Sequence, residues 1–254
     1  MRCASRRLSR CRGVPPALLG AWLGSSKTVP AADEPSRLAL VRSGVGLCVE
    51  VRELGSLVAD VRSSSWWERI RQTQIYRGWR ASDDAERLRT ALSNLEKLVQ
   101  SPTEEFLLGL FGSQSVVAIS PGAEGKPIAL LLTRADTEER LTQTLAIWNR
   151  AENARTTERK QGESVYFLRT RQKAHEGRST EERIFYFTQG RLLAVSESEE
   201  LVRSAIDHSL EKGEGLARNA RFQETFAAMP PGAAVRFYAQ PQVWLAAATK
   251  PSTG

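Results

Sequence analysis

Val165-Tyr166-Phe167-Leu168, Ile184-Phe185-Tyr186-Phe187 and Leu192-Leu193-Ala194-Val195 are three short runs with the β-branched and aromatic content of sheet strands. Gln189-Gly190 separates the last two, and its glycine can take the positive φ of a tight hairpin turn. Ser198 then precedes Val202, Ala205, Ile206 and Leu210, apolar residues at helical spacing, with Gly213 as a stop. Strands joined by a short turn and followed by an amphipathic helix predict an antiparallel sheet covered by helices. Between the strands, Arg169 to Glu182 reads as a charged loop, and Arg150 to Gly162 as a polar interval.

The same signals recur outward from this region. Upstream, Gly46 to Val51 reads as a first strand, followed by helical spacing at Leu54, Leu57, Val58 and Val61. Trp66 to Ile70 reads as a further helical turn. Asp83 and Glu86 form a capping box ahead of Leu88, Leu92, Leu95 and Val99, the expected buried stripe of a helix ending at Gln100. Ser101-Pro102-Thr103-Glu104 opens a short helix, with Ser101 as N-cap and Pro102 at the first helical position, and Gly112 closes it. Val116 to Ile119 and Ile128 to Leu132 form a hairpin around a glycine-containing loop, and a helix with Leu141, Leu145 and Trp148 on its inner face follows. Downstream, Asn219 caps a helix carrying Phe222, Phe226 and Met229, and Val235 to Ala239 is a last strand. The order is strand, helices, hairpin, helix, three strands, helices, strand: an α+β domain with a mainly antiparallel sheet, spanning 32–240. Residues 241–254 read either as a tail or as the start of a truncated second repeat, because Val243-Trp244-Leu245 after Val235 to Ala239 repeats the strand-then-helix pattern of Leu47 to Val58.

Gly46 to Leu54, Val165 to Leu168, Tyr186 to Ser196, and Phe222-Gln223 ahead of Met229-Pro230 together resemble a bacterial family of exported domains of unknown function. The resemblance implies an exported α+β module and supplies no catalytic residue. Gln189 stands where that family more usually has an acidic residue, a departure that bears on turn stability alone.

Charge distribution points the same way. The formal charge is +7 over 254 residues, yet residues 1–32 hold six basic side chains and no acid. The remainder carries 30 Lys plus Arg against 29 Asp plus Glu, a net charge of +1. The basic character therefore belongs to the leader, which weighs against nucleic acid as a partner. Met1 to Gly13 is basic, Val14 to Gly24 is apolar, and Val29 and Ala31 are small residues at signal-peptidase spacing, so 1–31 is expected to be an export signal cleaved after Ala31. A transit peptide and a misplaced start codon remain alternatives. The apolar stretch falls short of a membrane span, and no other segment approaches one. Cys3 and Cys11 lie in the leader, leaving Cys48 as a small buried hydrophobe inside a strand.

The residues that carry chemistry do not assemble into a catalytic pattern. His175 and His208 are the two histidines, too few with one internal cysteine for a dedicated metal site. Asp83-Asp84, Glu104-Glu105, Glu138-Glu139 and Glu199-Glu200 open helices, where the N-terminal dipole accounts for them, and Glu181-Glu182 is a fifth pair. There is no G-x-S-x-G elbow and no S-x-x-K. Gly122 to Lys126 joins two strands instead of opening a helix, so it lacks the amides of a phosphate loop. The basic run from Arg155 to Arg183 is diluted by glutamates and reads as a solvated sheet edge. No enzyme activity, cofactor or metal is expected.

The residues expected to form a partner surface are Trp66, Trp67, Trp79 and Trp244. Adjacent tryptophans on one short helix cannot share a single core, so at least one is expected to face outward. The leading expectation is an exported, non-catalytic binding or structural module. Its partner would be another protein or an envelope component, with weak self-association through Val243, Trp244 and Leu245. The rival is an intracellular nucleic-acid-associated protein using the basic N-terminal arm, and an enzyme of unidentified class comes third.

Overall fold

Alternation of apolar and polar residues forces the strands into a sheet whose two faces must both be covered. The computed structural model describes residues 37–122, 126–175, 178–210, 215–230 and 232–249. The leader, the linker at 32–36, the tip of the first hairpin loop at 123–125 and the Gly213 stop lie outside these residues. The strands are β1 (Leu47–Arg52), β2 (Gln114–Pro121), β3 (Pro127–Arg134), β4 (Arg155–Gln161), β5 (Ser164–His175), β6 (Arg178–Gln189), β7 (Leu192–Ser196) and β8 (Val235–Ala239). They form one sheet in the order β4-β5-β6-β7-β3-β2-β1-β8. Every neighbouring pair is antiparallel.

The helices are α1 (Leu54–Ser63), α2 (Ser65–Gln72), α3 (Gln74–Arg80), α4 (Asp83–Val99), α5 (Thr103–Phe111), α6 (Glu138–Ala151), α7 (Glu199–Ser209), α8 (Ala220–Ala227) and α9 (Pro241–Ala248). The protein is thus an α+β fold built on an antiparallel sheet. Among the described residues, no helix is long and apolar enough to cross a membrane.

One face of the sheet carries Cys48, Val116, Leu132, Ala194, Phe187 and Tyr238. It is sealed by Leu201, Val202, Ala205 and Ile206 of α7, Phe222 of α8, and Leu38, Leu40 and Val41 of a 3-10 segment and the residue after it. The other face packs Tyr186 and Leu193 against Leu110 of α5 and Leu141 of α6. That second cover stops short of the β8 end, where Val235 and Phe237 stand about half exposed.

Several expectations are corrected. The polar interval Arg150 to Gly162 contains a strand, because β4 is the sheet's edge and its pairing of Arg155–Gln161 with Thr170–Ser164 needs no apolar face. The charged stretch Arg169 to Glu182 is largely strand as well. There β5 and β6 continue to a His175–Arg178 pairing, held by register partners such as Arg171–Glu182, which also form an ion pair. Ser82, not Asp83, caps α4, its hydroxyl accepting from the Ala85 amide. Pro102, not Ser101, occupies the position before α5. Leu210 falls beyond the last turn of α7 and is exposed. The Gly190 turn has φ 55°, the left-handed value expected of it.

Two polar devices lock β8 and α9 onto β1. Glu50 is fully buried and accepts from the Arg236 guanidinium at 2.6 Å, from Arg52 at 3.1 Å and from the Gln114 amide. A buried carboxylate is tolerated only with such partners. The Gln240 amide donates to the carbonyls of Ser43 and Val45, at 3.0 and 2.9 Å. Trp244 of α9 then covers Gly46 so closely that a Cβ there would lie 2.4 Å from the indole nitrogen. Removing everything after Gln240 is therefore expected to cost about 1–3 kcal/mol through the uncovered Gly46 contact and to reduce self-association by removing exposed Leu245. Truncation before Pro230 removes β8 and the Arg236 partner of Glu50, with an expected loss on the order of 5 kcal/mol. Denaturant melts and sedimentation of the two truncations check both; equal stability would contradict the β8 pairing.

Candidate functional site

Three hydroxyls nine residues apart, Ser64, Thr73 and Ser82, break the chain after α1 into short helices. Each closes one helix by donating to the carbonyl three residues back, to Val61 at 2.6 Å, Ile70 at 2.7 Å and Trp79 at 2.6 Å. Each also opens the next by accepting from the amide three residues ahead, that of Trp67 at 3.2 Å, Tyr76 at 3.1 Å and Ala85 at 3.4 Å. The backbone therefore turns at regular intervals, and equivalent positions of successive nine-residue units come to the same side.

The sequence repeats in step. Ser64-Ser-Trp-Trp67-Glu-Arg-Ile70-Arg71-Gln, Thr73-Gln-Ile-Tyr76-Arg-Gly-Trp79-Arg80-Ala and Ser82-Asp-Asp-Ala85-Glu-Arg-Leu88-Arg89-Thr share a hydroxyl at position 1, apolar or aromatic residues at 4 and 7, and arginine at 8. This repeat is readable in the sequence, yet it escapes a search for helical periodicity because each unit is interrupted before the pattern accumulates.

Position 8 of all three units and positions 4 and 7 of the second and third converge on an open groove of about 380 Å³ lined by Arg71, Tyr76, Trp79, Arg80, Ala85, Leu88, Arg89 and Leu92. Trp67 meets Tyr76 edge-on with centroids 5.7 Å apart, and Tyr76 meets Trp79 at 5.9 Å. Trp79 is 48% exposed, Trp66 is 55% exposed and Ile75 is 85% exposed. Trp66 therefore faces outward while Trp67 is half-buried, as expected of neighbouring tryptophans. The expected buried stripe of α4 is corrected: Val99 is buried, but Leu88 and Leu92 are exposed and form the groove floor. Of the four tryptophans, Trp79 lines the groove and Trp67 adjoins it through Tyr76, whereas Trp66 is outside its lining and Trp244 lies over Gly46, just ahead of β1.

The groove is lined by arginines and, among the described residues, by no carboxylate. At position 5, Glu68 pairs with Arg71 at 3.5 Å and Glu86 with Arg89 at 2.5 Å. The middle unit has Arg77 at that position, so among the described residues Arg80 has no carboxylate partner. Arg89 also donates to the Arg80 carbonyl at 3.0 Å, fixing α3 against α4. The arm is anchored to the sheet domain through α5: Arg62 reaches Glu104 at 2.6 Å, and the Thr103 hydroxyl donates to the Leu92 carbonyl at 3.1 Å.

A second, polar depression follows α7 and is lined by Gln161, Glu199, Glu200, Arg203, Ser204, Asp207 and His208. Its charges are mutually satisfied. Glu199 accepts from the Tyr166 hydroxyl at 2.5 Å and from the Arg159 guanidinium at 2.7 Å, and these contacts hold its carboxyl below its ordinary value. His208 sits in the last turn of α7, 3.5 Å from Ser204. Cys48 is buried, and burial first, with Glu50 second, pushes its thiol up to about 12, so it stays protonated and behaves as a small hydrophobe. The paired carboxylates Asp83-Asp84, Glu104-Glu105, Glu138-Glu139 and Glu199-Glu200 all lie in first helical turns. His175 ends β5 instead of lying in a loop.

Because Glu199 is depressed, its stabilising contribution is present above the ordinary carboxylate value of 4.5 and is lost as pH falls. Tyr166→Phe is expected to lower stability at neutral pH and to flatten the acid limb of a stability–pH curve; a parallel curve would contradict the contact. Thr73→Ala is expected to cost about 1 kcal/mol and to change the near-ultraviolet dichroism of the Trp67, Tyr76 and Trp79 cluster, with the β-sheet signal unchanged.

No family model matches the chain, and neither curated proteins nor solved structures contain a match to it.

Proposed function

We propose that this protein is an exported, non-catalytic module that holds a partner protein or envelope component in the aromatic groove of α2, α3 and α4. The observation that carries the reading is the groove itself: Trp79, Leu88 and Leu92 stand uncovered on helices anchored to a well-packed sheet. Leaving such side chains in water forfeits roughly 25 cal/mol per Å² of apolar area, which a docked partner recovers.

Other features support the same reading. Arginines of β4 to β6 pair with nearby carboxylates: Arg159 with Glu199 of α7, Arg171 with Glu152 after α6, and Arg183 with Glu181 of its own strand. Locally neutralised charge of this kind suits a solvated edge better than a nucleic-acid surface. The inert Cys48 and the internally satisfied groups around α7 offer no activated nucleophile. Export rests on the leader and on the resemblance of Gly46 to Leu54 and of Tyr186 to Ser196 to exported domains.

Two measurements test the proposal. Mass spectrometry of the native N-terminus is expected to find Ala32 first, in an extracytoplasmic fraction; an intact Met1 in the cytosol would defeat export. The double variant Trp79→Ala with Leu88→Ser is expected to melt like the wild type but to be released from the envelope fraction that retains it. Unchanged retention would defeat the groove as the binding surface.

A further inference from the structure

We propose that the occupant of the groove is an acidic amphipathic helix of a partner polypeptide, its apolar stripe seated on Leu88, Leu92 and Trp79 and its carboxylates facing Arg71 and Arg80. The proposal rests on the groove being the binding surface and adds the chemistry of what it binds.

Charge complementarity carries the choice. Arginines at position 8 of successive nine-residue units line a groove with no carboxylate on its walls. In the first and third units a glutamate three residues earlier partly neutralises the arginine. In the middle unit that glutamate is replaced by Arg77, leaving Arg80 without a carboxylate partner among the described residues, in the centre of the array. An unpaired guanidinium beside an apolar floor fits a carboxylate presented by an otherwise apolar ligand, with bidentate geometry available to it.

The floor distinguishes a peptide from other anions. Leu88 and Leu92 are aliphatic and exposed, and they suit leucine-like side chains at i, i+3, i+4 and i+7 of a docked helix better than stacked bases. The excess charge is also local, since the chain from Asp33 onward carries a net charge of only +1. The chain's own leader is a poor occupant, because residues 1–32 contain six basic side chains and no acid.

The test uses a fluorescein-labelled synthetic helix of about five turns, with a leucine stripe flanked by glutamates, titrated into the full chain and followed by anisotropy. Parallel titrations use the same stripe flanked by lysines, phosphatidylglycerol vesicles and single-stranded oligodeoxythymidine. The acidic helix is expected to bind, more weakly as salt is raised, and the lysine version is not. Arg80→Glu is expected to weaken binding about tenfold and Arg80→Gln by less. Arg87→Glu, on the next helix, α4, and outside the groove lining, is expected to leave it unchanged; circular dichroism confirms that each variant is folded. No binding of the acidic helix, equal binding of the lysine version, or indifference to Arg80→Glu overturns the proposal. Tighter binding of vesicles or oligonucleotide, abolished by Arg80→Glu, also overturns the acidic helix while leaving the groove as the binding surface. Failure of the groove itself is read separately, from unchanged envelope retention of the Trp79→Ala, Leu88→Ser variant.

Discussion

A sheet of alternating strands has two faces to cover, and the supply of helices determines everything else about this protein. On one face, Val116, Leu132 and Ala194 are fully sealed by α7, α8 and the segment around Leu38 to Val41. On the other, α5 and α6 cover Tyr186 and Leu193. With both faces served, α1 to α4 have little sheet left to cover. Their anchor is α5, reached through Arg62 and Thr103, and most of their apolar residues remain at the surface. The groove is thus a consequence of helices in excess of the core's requirement. An amphipathic helix whose apolar face meets no core is either unstable or partnered.

The arm survives as ordered structure because its stability is local. Ser64, Thr73 and Ser82 each serve two helix ends at once, adding a bond to a terminal carbonyl and satisfying a terminal amide that would otherwise be orphaned. The same hydroxyls set the nine-residue repeat and thereby aim Arg71, Arg80 and Arg89 at one groove. Capping and recognition are consequently the same design: the spacing that closes each helix also places the arginine. The single break in the repeat, Arg77 in place of glutamate, concentrates the uncompensated charge at the centre.

At the opposite end, the two edges of the sheet are treated differently. β4 is a run of charged and polar residues, Arg155 to Gln161, which discourages further strand pairing. β8 has a single charged residue, Arg236, and that charge is turned inward onto buried Glu50. Glu50 makes the β1–β8 pairing obligatory, since losing Arg236 would strip a buried carboxylate of its main counter-charge. Val235, Phe237 and Leu245 remain exposed near this edge, while Trp244 is committed to Gly46.

Local signals in the sequence were sufficient for the α+β class, the two hairpins around Gly122 and Gly190, the helices over Leu141 and Ile206, and the closing strand Val235 to Ala239. Each depends on neighbours within a few residues: period-two or helical spacing, a turn glycine, a cap. That one of Trp66 and Trp67 would face outward was legible for the same reason, because adjacent aromatics on a short helix cannot both turn inward. Tertiary structure alone decided the rest. Arg155 to Gln161, Arg169 to His175 and Arg178 to Glu182 carry no apolar pattern, and they are in strands because cross-strand partners hold them. Leu88 and Leu92 have the spacing of a buried stripe, but spacing says which residues share a face and not what that face meets. Whether Trp244 covers a glycine or a partner, and whether an apolar stripe is core or binding surface, depends on which faces other helices have already filled, and that count is taken only when the whole chain has packed.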